Sequence, residues 1–450
     1  MRKIGVDLPG DLADQVAMVV KDRERVMSKT GSLSLYIPEP IARPGDAVDF
    51  RGMKVPPAGE AVRPPVDCTA EATHGLAHGL IRVLDDDGAA VGDWDPHADE
   101  ALLQRGLRAM MLVRAFDDRM YRQQRQGKTS FYVKCTGEEA VATAQTLALS
   151  AEDMCFPTYR QQGVLITRGY PLVEMMNQCY SNARDPMKGR QLPVLYSSKA
   201  HGFFTVSGNL GTQFSQAVGW AMASAYKGDT RLAYAYIGDG STAEGDFHQA
   251  LLFASVYRAP VILNIVNNQW AISAFQGIAG GEQASFASRG LGYGLPSLRV
   301  DGNDFLAVYA VTRWAAERAR ANLGATLIEL FTYRASAHST SDDPSRYRPA
   351  EESASWPLGD PIARLKQHML KLGVWSPEQH AALEAELTEV VRAASREAEK
   401  AGVLGVTRPP VEEMFDDVYK DRPWHLDRQL AEVLEAVEAR AARASKTPDA

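Results

Sequence analysis

Two short stretches carry residue types that could do chemistry together. Gly238-Asp239-Gly240 lies in YIGDGSTAEGD, and Asn267-Asn268 lies in VNNQWAIS, 26 residues further on. Glycines after a strand let backbone approach a phosphate, yet here a carboxylate stands between them. An anion beside an anion needs a cation. A carboxylate oxygen, an amide oxygen and a backbone carbonyl suit a hard ion such as Mg²⁺. That ion keeps near-octahedral geometry at about 2.0–2.1 Å and completes its shell with phosphate oxygens.

The elements around these stretches must position them. RLAYAYIGDG reads as a strand ending near Ile237, STAEGDFHQALLFASVYRA as a helix, and PVILNIVNN as a buried strand ending near Val266. A right-handed βαβ crossover returns the second strand parallel to the first, so both C-terminal ends reach one sheet edge. If the strands are neighbours, their backbones lie about 5 Å apart and Asp239 and Asn268 can share one ion. The helix, starting near Ser241, would point unpaired N–H groups at the same spot and favour a diphosphate. A lone Gly-Asp-Gly also occurs in ordinary turns; the pairing with Asn267-Asn268 at the ends of two successive buried strands is what makes the signal specific. A dinucleotide-binding G-x-G-x-x-G is not matched after this strand, which counts against NAD.

The 450 residues allow a large core, and 45% hydrophobic with 23% charged residues is ordinary for a globular protein. A net charge of −7 implies no basic face for nucleic acid. Cys68, Cys135, Cys155 and Cys179 form no C-x-x-C pair, so reduced thiols are expected rather than a zinc site or disulfides. No apolar run reaches the roughly 18 residues of a membrane span, and the N-terminus lacks a signal-type apolar stretch. A cytoplasmic protein is expected. Met27 would make a natural start, leaving residues 1–26 as a loosely held extension.

Seven prolines between 36 and 66 predict an extended arm, either a floppy tail or a strap over a partner subunit. Residues 97–127 have apolar residues at helical spacing and a helix ending near Gly127. From 135 to 335 apolar strands alternate with amphipathic helices. The fold class is therefore α/β, a mostly parallel sheet with helices on both faces. SAHSTSDDPSRYRPAEE beyond 335 reads as a functional lid, and 360–450 as charged helices. Three segments result: an extension and Pro-rich arm over 1–98, the α/β domain over 99–358 with its lid at 336–350, and a helical region over 359–450.

Gly-Asp-Gly with the paired asparagines resembles the thiamine-diphosphate motif. FPTYRQQGVLITRGYPL, GRQLPV, SGNLGTQFSQAVGWAMA, IGDGSTAEGDFHQAL, VNNQWAIS, RVDGNDFLAVY and YRASAHSTSDDPSRYR resemble more. Over residues 100–400 the chain is similar to α subunits of the decarboxylating component of 2-oxo acid dehydrogenase complexes. HSTSDD looks like the branched-chain type, the bacterial 2-oxoisovalerate dehydrogenases. The resemblance implies thiamine diphosphate and Mg²⁺ as cofactors, with Asp239, Asn268 and the Trp270 main-chain carbonyl as metal ligands. It implies diphosphate contacts at Gly238, Gly240, Ser241, Tyr159 and Arg160, where an arginine fork suits phosphate. Without the resemblance, Arg160 reads as a surface ion pair.

Gly208 and Leu210 match positions whose backbone meets the aminopyrimidine ring. Ser207, Asn209, Thr212 and Gln213 match a potassium (K⁺) site of some members, against the plainer reading of a satisfied turn. His338 matches the catalytic side chain at the cofactor's reactive end, an imidazole able to exchange protons near its ordinary pKa. His248 reads as packing or solvent-facing. The lid carries phosphorylation sites in animal relatives, and Ser339 could become such a switch; an ordering loop is the preferred reading here. Some relatives place an arginine where this chain has Val266, which removes one diphosphate contact.

The resemblance further implies oxidative decarboxylation of branched-chain 2-oxo acids, with acyl transfer to the lipoyl group of an acyltransferase component. It implies a β subunit that completes the site in an α₂β₂ heterotetramer. Length agrees: single-chain thiamine enzymes need two large α/β domains, and one is visible. Pyruvate and acetoin dehydrogenase α subunits share every cofactor residue, and a non-catalytic cofactor-binding subunit is a further reading.

Overall fold

The runs AYAYIG and VILNIVN have no polar face, and strands apolar on both sides need cover on both sides. A computed structural model describes residues 35–406, 410–416 and 418–444 and provides that cover. The Met27 question lies outside the described residues. The strands are β1 (Met154–Phe156), β2 (Ala233–Gly238), β3 (Val261–Asn267), β4 (Trp270–Ala271), β5 (Ala274–Phe275), β6 (Ser297–Asp301) and β7 (Thr326–Phe331). Five of them form one sheet in the order β1-β2-β3-β7-β6, and every pairing in it is parallel. β4 and β5 make a separate small antiparallel hairpin.

Helices follow the same alternation: α1 (Glu100–Arg125), α2 (Glu139–Ala148), α3 (Gln162–Thr167), α4 (Leu172–Tyr180), α5 (Thr212–Tyr226), α6 (Gly245–Val256) and α7 (Phe305–Arg320). α8 (Pro361–Lys371), α9 (Pro377–Lys400) and α10 (Trp424–Ala444) form the C-terminal region. Tyr234, Tyr236, Ile262 and Ile328 point into a core shared with α1, α2 and α7. Their neighbours Ala235, Ile237, Leu263 and Leu327 point into a second core with Phe214 of α5 and Phe247 of α6. The period-two alternation of each strand thus feeds two cores, one per face.

α1 starts where Asp99 accepts a hydrogen bond from the Leu102 N–H (2.8 Å), and it gives way to Gly127 in the left-handed region. The Pro-rich arm is not a floppy tail: from Phe50 to Pro65 it lies against its own chain. Trp314 Nε1 donates to the Pro64 carbonyl (2.9 Å), Arg82 Nη1 to that of Pro56 (2.9 Å), and the Phe50 and Trp356 rings meet edge-on at 5.5 Å. Proline supplies carbonyl acceptors but no donor, so the arm is held by side chains reaching out from the body. The four cysteines are free thiols. No helix among the described residues is long and apolar enough to cross a membrane.

Candidate cofactor and metal site

β2 and β3 are adjacent, in register from Ala233↔Val261 to Gly238↔Val266. Parallel strands place all their C-terminal ends at one rim, where ligands of open α/β sheets bind. Asp239 and Asn268 both stand there. Asp239 extends the ladder, its N–H donating to the Val266 carbonyl (3.2 Å). Its side chain is only 2% exposed, Oδ1 accepts from the Gly240 N–H (2.9 Å), and Oδ2 is buried without a hydrogen-bond partner. Burial pushes this carboxyl up to about 7; the Gly240 N–H and Arg334 oppose the rise and the nearby Glu138 adds to it. A buried acceptor with no donor is costly, and a cation would remove that cost.

The helix after this turn begins later than the sequence suggested. Residues Gly240–Ala243 form a 3₁₀ turn, and α6 starts only at Gly245. The Thr242 hydroxyl donates back to the Asp239 carbonyl (2.6 Å), and Glu244 is extended, so the first turn closes locally before the helix can begin. Gly240 is required by space: a Cβ there would lie 2.4 Å from the Ala271 Cβ of the β4–β5 hairpin. Gly240→Ala is expected to destabilise the chain by about 1–3 kcal/mol through overpacking, read as a lower thermal midpoint; an unchanged midpoint would mean the hairpin simply yields.

After Asn268 the chain reverses sharply. Gln269 sits at φ 73°, a conformation costly for a residue with a Cβ. Its amide offsets the cost by donating to the carbonyls of Asn267 (3.2 Å) and Thr332 (3.3 Å). The Asn268 Nδ2 donates to Glu138 Oε1 (2.8 Å), which leaves its Oδ1 with only a long contact to the Trp270 N–H (3.4 Å). The Trp270 carbonyl accepts from Arg334 Nη1 (2.8 Å) and keeps a second lone pair. Asp239 Oδ2, Asn268 Oδ1 and this carbonyl thus each keep acceptor capacity at the rim where β2 and β3 end.

Arg160 is buried rather than a surface ion pair. Nη2 donates to the His338 carbonyl (3.0 Å) and lies 3.3 Å from His338 Nδ1, Nη1 donates to the Lys134 carbonyl, and Nε stands 3.8 Å from Glu138 Oε1. Tyr159 meets the His338 ring edge-on at 5.8 Å. Arg334 Nη1 is 3.2 Å from the same imidazole nitrogen. Burial first, then the Arg160 and Arg334 guanidiniums, push His338 down to about 3 against the pull of Asp342. That departs from the ordinary titration expected of it: the ring is held neutral.

Residues 107–407 match the family described as dehydrogenase E1 component. The chain belongs to that family. Residues 31–71 match the N-terminal family of 2-oxoisovalerate dehydrogenase E1 alpha subunits. The alpha subunit of 2-oxoisovalerate dehydrogenase from Pseudomonas aeruginosa is 62% identical over 408 residues, covering 90% of this chain and all of the relative. The mitochondrial alpha subunit from Mus musculus is 40% identical over 355 residues, 78% of each chain. The mitochondrial alpha 1 subunit from Arabidopsis thaliana is 40% identical over 353 residues, 77% of this chain and 73% of the relative.

In this E1 chain the 207–213 loop lies at the surface. Gly208, Asn209 and Leu210 are exposed and Ser207 half-exposed. The Asn209 N–H donates to the Ser207 hydroxyl (3.1 Å) and the Thr212 hydroxyl to the Asn209 carbonyl (3.0 Å), as in a turn that satisfies itself. The Gln213 amide turns inward to the Tyr236 carbonyl of β2 (2.8 Å). His248 is exposed, with Nδ1 3.0 Å from the Tyr293 hydroxyl.

Sequence reasoning missed Glu138 and Arg334. Glu138 precedes α2, of whose residues all but Leu147 are buried; the run of small residues after the acid was a signal that it enters the interior. Gly137, at φ +94°, lets the turn press on the β7 exit, where a Cβ would lie 2.4 Å from the Tyr333 carbonyl. Arg334 follows β7, and its N–H bonds the Asn268 carbonyl (3.2 Å), so the sheet itself sets it beside Asn268. The lid docks through it: Nη2 donates to the Tyr347 hydroxyl (2.8 Å), which donates to Asp342 Oδ2 (2.6 Å), which also accepts from the His338 N–H (2.7 Å).

Proposed function

We propose that this chain is the α subunit of a branched-chain 2-oxo acid dehydrogenase, acting on 2-oxoisovalerate and its homologues and passing the acyl group to a lipoyl-bearing acyltransferase. The observation that carries the reading is the orphaned Asp239 Oδ2, buried at the same rim as Asn268. It calls for a cation where the family and its relatives use a thiamine-type site.

Asp239, Asn268 and the Trp270 carbonyl hold Mg²⁺, Arg160 and Tyr159 grip the diphosphate with the backbone of Gly238, Gly240 and Ser241, and Gly208 and Leu210 meet the aminopyrimidine. Bound thiamine diphosphate supplies the electron sink for decarboxylation; the protein supplies orientation and electrostatics. Neutral His338 offers a lone pair or an N–H at the reactive end, and the lid from 336 to 350 excludes water. Ser207, Asn209, Thr212 and Gln213 are the residues that would hold a K⁺, were one bound, to steady the 207–213 loop. The α/β unit spans 99–358, preceded by the extension and arm over 1–98 and followed by the helical region over 359–450.

The chain works in the cytoplasm as the α subunit of an α₂β₂ heterotetramer. One five-stranded parallel sheet is half of what a thiamine enzyme needs, and α6 presents Leu252, Phe253, Val256 and Tyr257 to solvent. Purified alone, the chain is expected to show no decarboxylation of 3-methyl-2-oxobutanoate, and activity is expected to appear on adding its β subunit. Turnover by the isolated α chain would overturn the partner, and preference for pyruvate or acetoin would overturn the substrate.

A further inference from the structure

We infer that Glu138 is a positioning residue for the metal, acting through Asn268; this rests on the metal role of Asn268 proposed above. An amide side chain presents either an oxygen or an NH₂ group, and only the oxygen binds a cation. Something must choose. At Asn268 the choice falls to Glu138, whose Oε1 accepts from Nδ2 at 2.8 Å in a wholly buried contact. Flipping the amide would set its oxygen against that carboxylate oxygen, an acceptor facing an acceptor.

No other strong donor competes for the arrangement. Asn268 Oδ1 has only the 3.4 Å contact to the Trp270 N–H, so it stays free for a ligand. Glu138 is itself held from three sides. Arg160 Nε stands 3.8 Å away, the turn before it is pressed on the β7 exit through Gly137, and the Glu138 N–H donates to the Cys135 carbonyl (2.8 Å). Behind that turn the fully buried Asp117 accepts from the Cys135 N–H (2.7 Å), the Tyr132 hydroxyl (2.7 Å) and Gln162 (2.9 Å). These contacts fix the Glu138 backbone, and swinging its side chain away would break the buried bond to Asn268. Groups that orient a metal ligand typically contribute 10–100-fold in metal affinity.

The test compares Glu138→Gln with Glu138→Met in the full chain assembled with its β subunit. Mg²⁺ affinity is read by calorimetry at saturating thiamine diphosphate, without turnover. Gln keeps an acceptor at the same reach; Met keeps the shape and removes it. Glu138→Met is expected to weaken Mg²⁺ binding at least about tenfold, with Glu138→Gln within about threefold of the parent. Equal affinity of Met and parent overturns the inference, and so does Gln falling as far as Met, which would assign the effect to charge on Arg160. Should the Met variant fail to assemble, Glu138→Leu takes its place beside Gln and is read by the same two outcomes. A parent complex that binds no Mg²⁺ at all would instead refute the metal site.

Discussion

Asp239→Asn abolishes magnesium-dependent cofactor binding and yet makes the metal-free chain more stable. Removing the only carboxylate among the three proposed ligands costs several kcal/mol of charge stabilisation, on the order of a thousandfold in turnover. Calorimetry with Mg²⁺ and thiamine diphosphate, and steady-state rates with the β subunit present, measure this loss. The stability change has the opposite sign. Burial raises Asp239 from 3.8 to about 7, so the folded metal-free chain holds a proton that the unfolded chain has released. Its stability therefore falls as pH rises through that window, by roughly 4 kcal/mol in full. The asparagine variant carries no such penalty. In chelator, its thermal midpoint should exceed that of the parent at pH 8, and the gap should shrink as pH falls toward 5. A variant less stable than its parent at pH 8 would show that Oδ2 has a partner in solution, and the argument for a cation there would fail.

The rim itself was legible in the sequence because it rests on rules that act locally. Two apolar runs joined by one helix must lie parallel, and the ends of such strands meet at one edge. Asp239 and Asn268 could be paired on those grounds alone. What could not be read depends on contacts between distant segments. Arg160 and His338 are 178 residues apart, and nothing in either motif says that an imidazole expected near its ordinary pKa sits between two guanidiniums. Arg334 is fully buried, against the habit of arginine. Its place follows from the path of the chain just past the end of β7, where the Arg334 N–H bonds the Asn268 carbonyl, and periodicity locates such boundaries poorly. Glu138 was hidden for a related reason: a second acid, Glu139, follows it, and the pair reads as an ordinary charged helix start. Glu139 is in fact spoken for by Arg114 (2.7 Å), which leaves Glu138 to Asn268. The late start of α6 was missed because the Thr242 hydroxyl competes with the helix for the backbone, and propensity does not weigh that competition.

His338→Ala should separate chemistry from binding. The imidazole touches Arg160 and Arg334 but none of the three metal oxygens, so the variant is expected to hold Mg²⁺ and thiamine diphosphate within about threefold of the parent. Its turnover should fall by about 10²–10⁴, the usual contribution of a positioned acid–base group. The pH behaviour follows from its surroundings. In the cofactor-free chain the ring is pushed from 6.5 to about 3, so the unfolded chain takes up a proton that the folded chain refuses. That costs stability progressively below pH 6.5, and His338→Ala should lose this part of the acid sensitivity. Diphosphate anions beside Arg160 would offset the guanidinium charge, so cofactor binding should raise the ring's pKa. Titration of the ring by NMR with and without thiamine diphosphate would detect that rise. A ring whose pKa does not move on cofactor binding, or a variant with normal turnover, would remove His338 from the reacting end and leave it as the hinge on which the lid is hung.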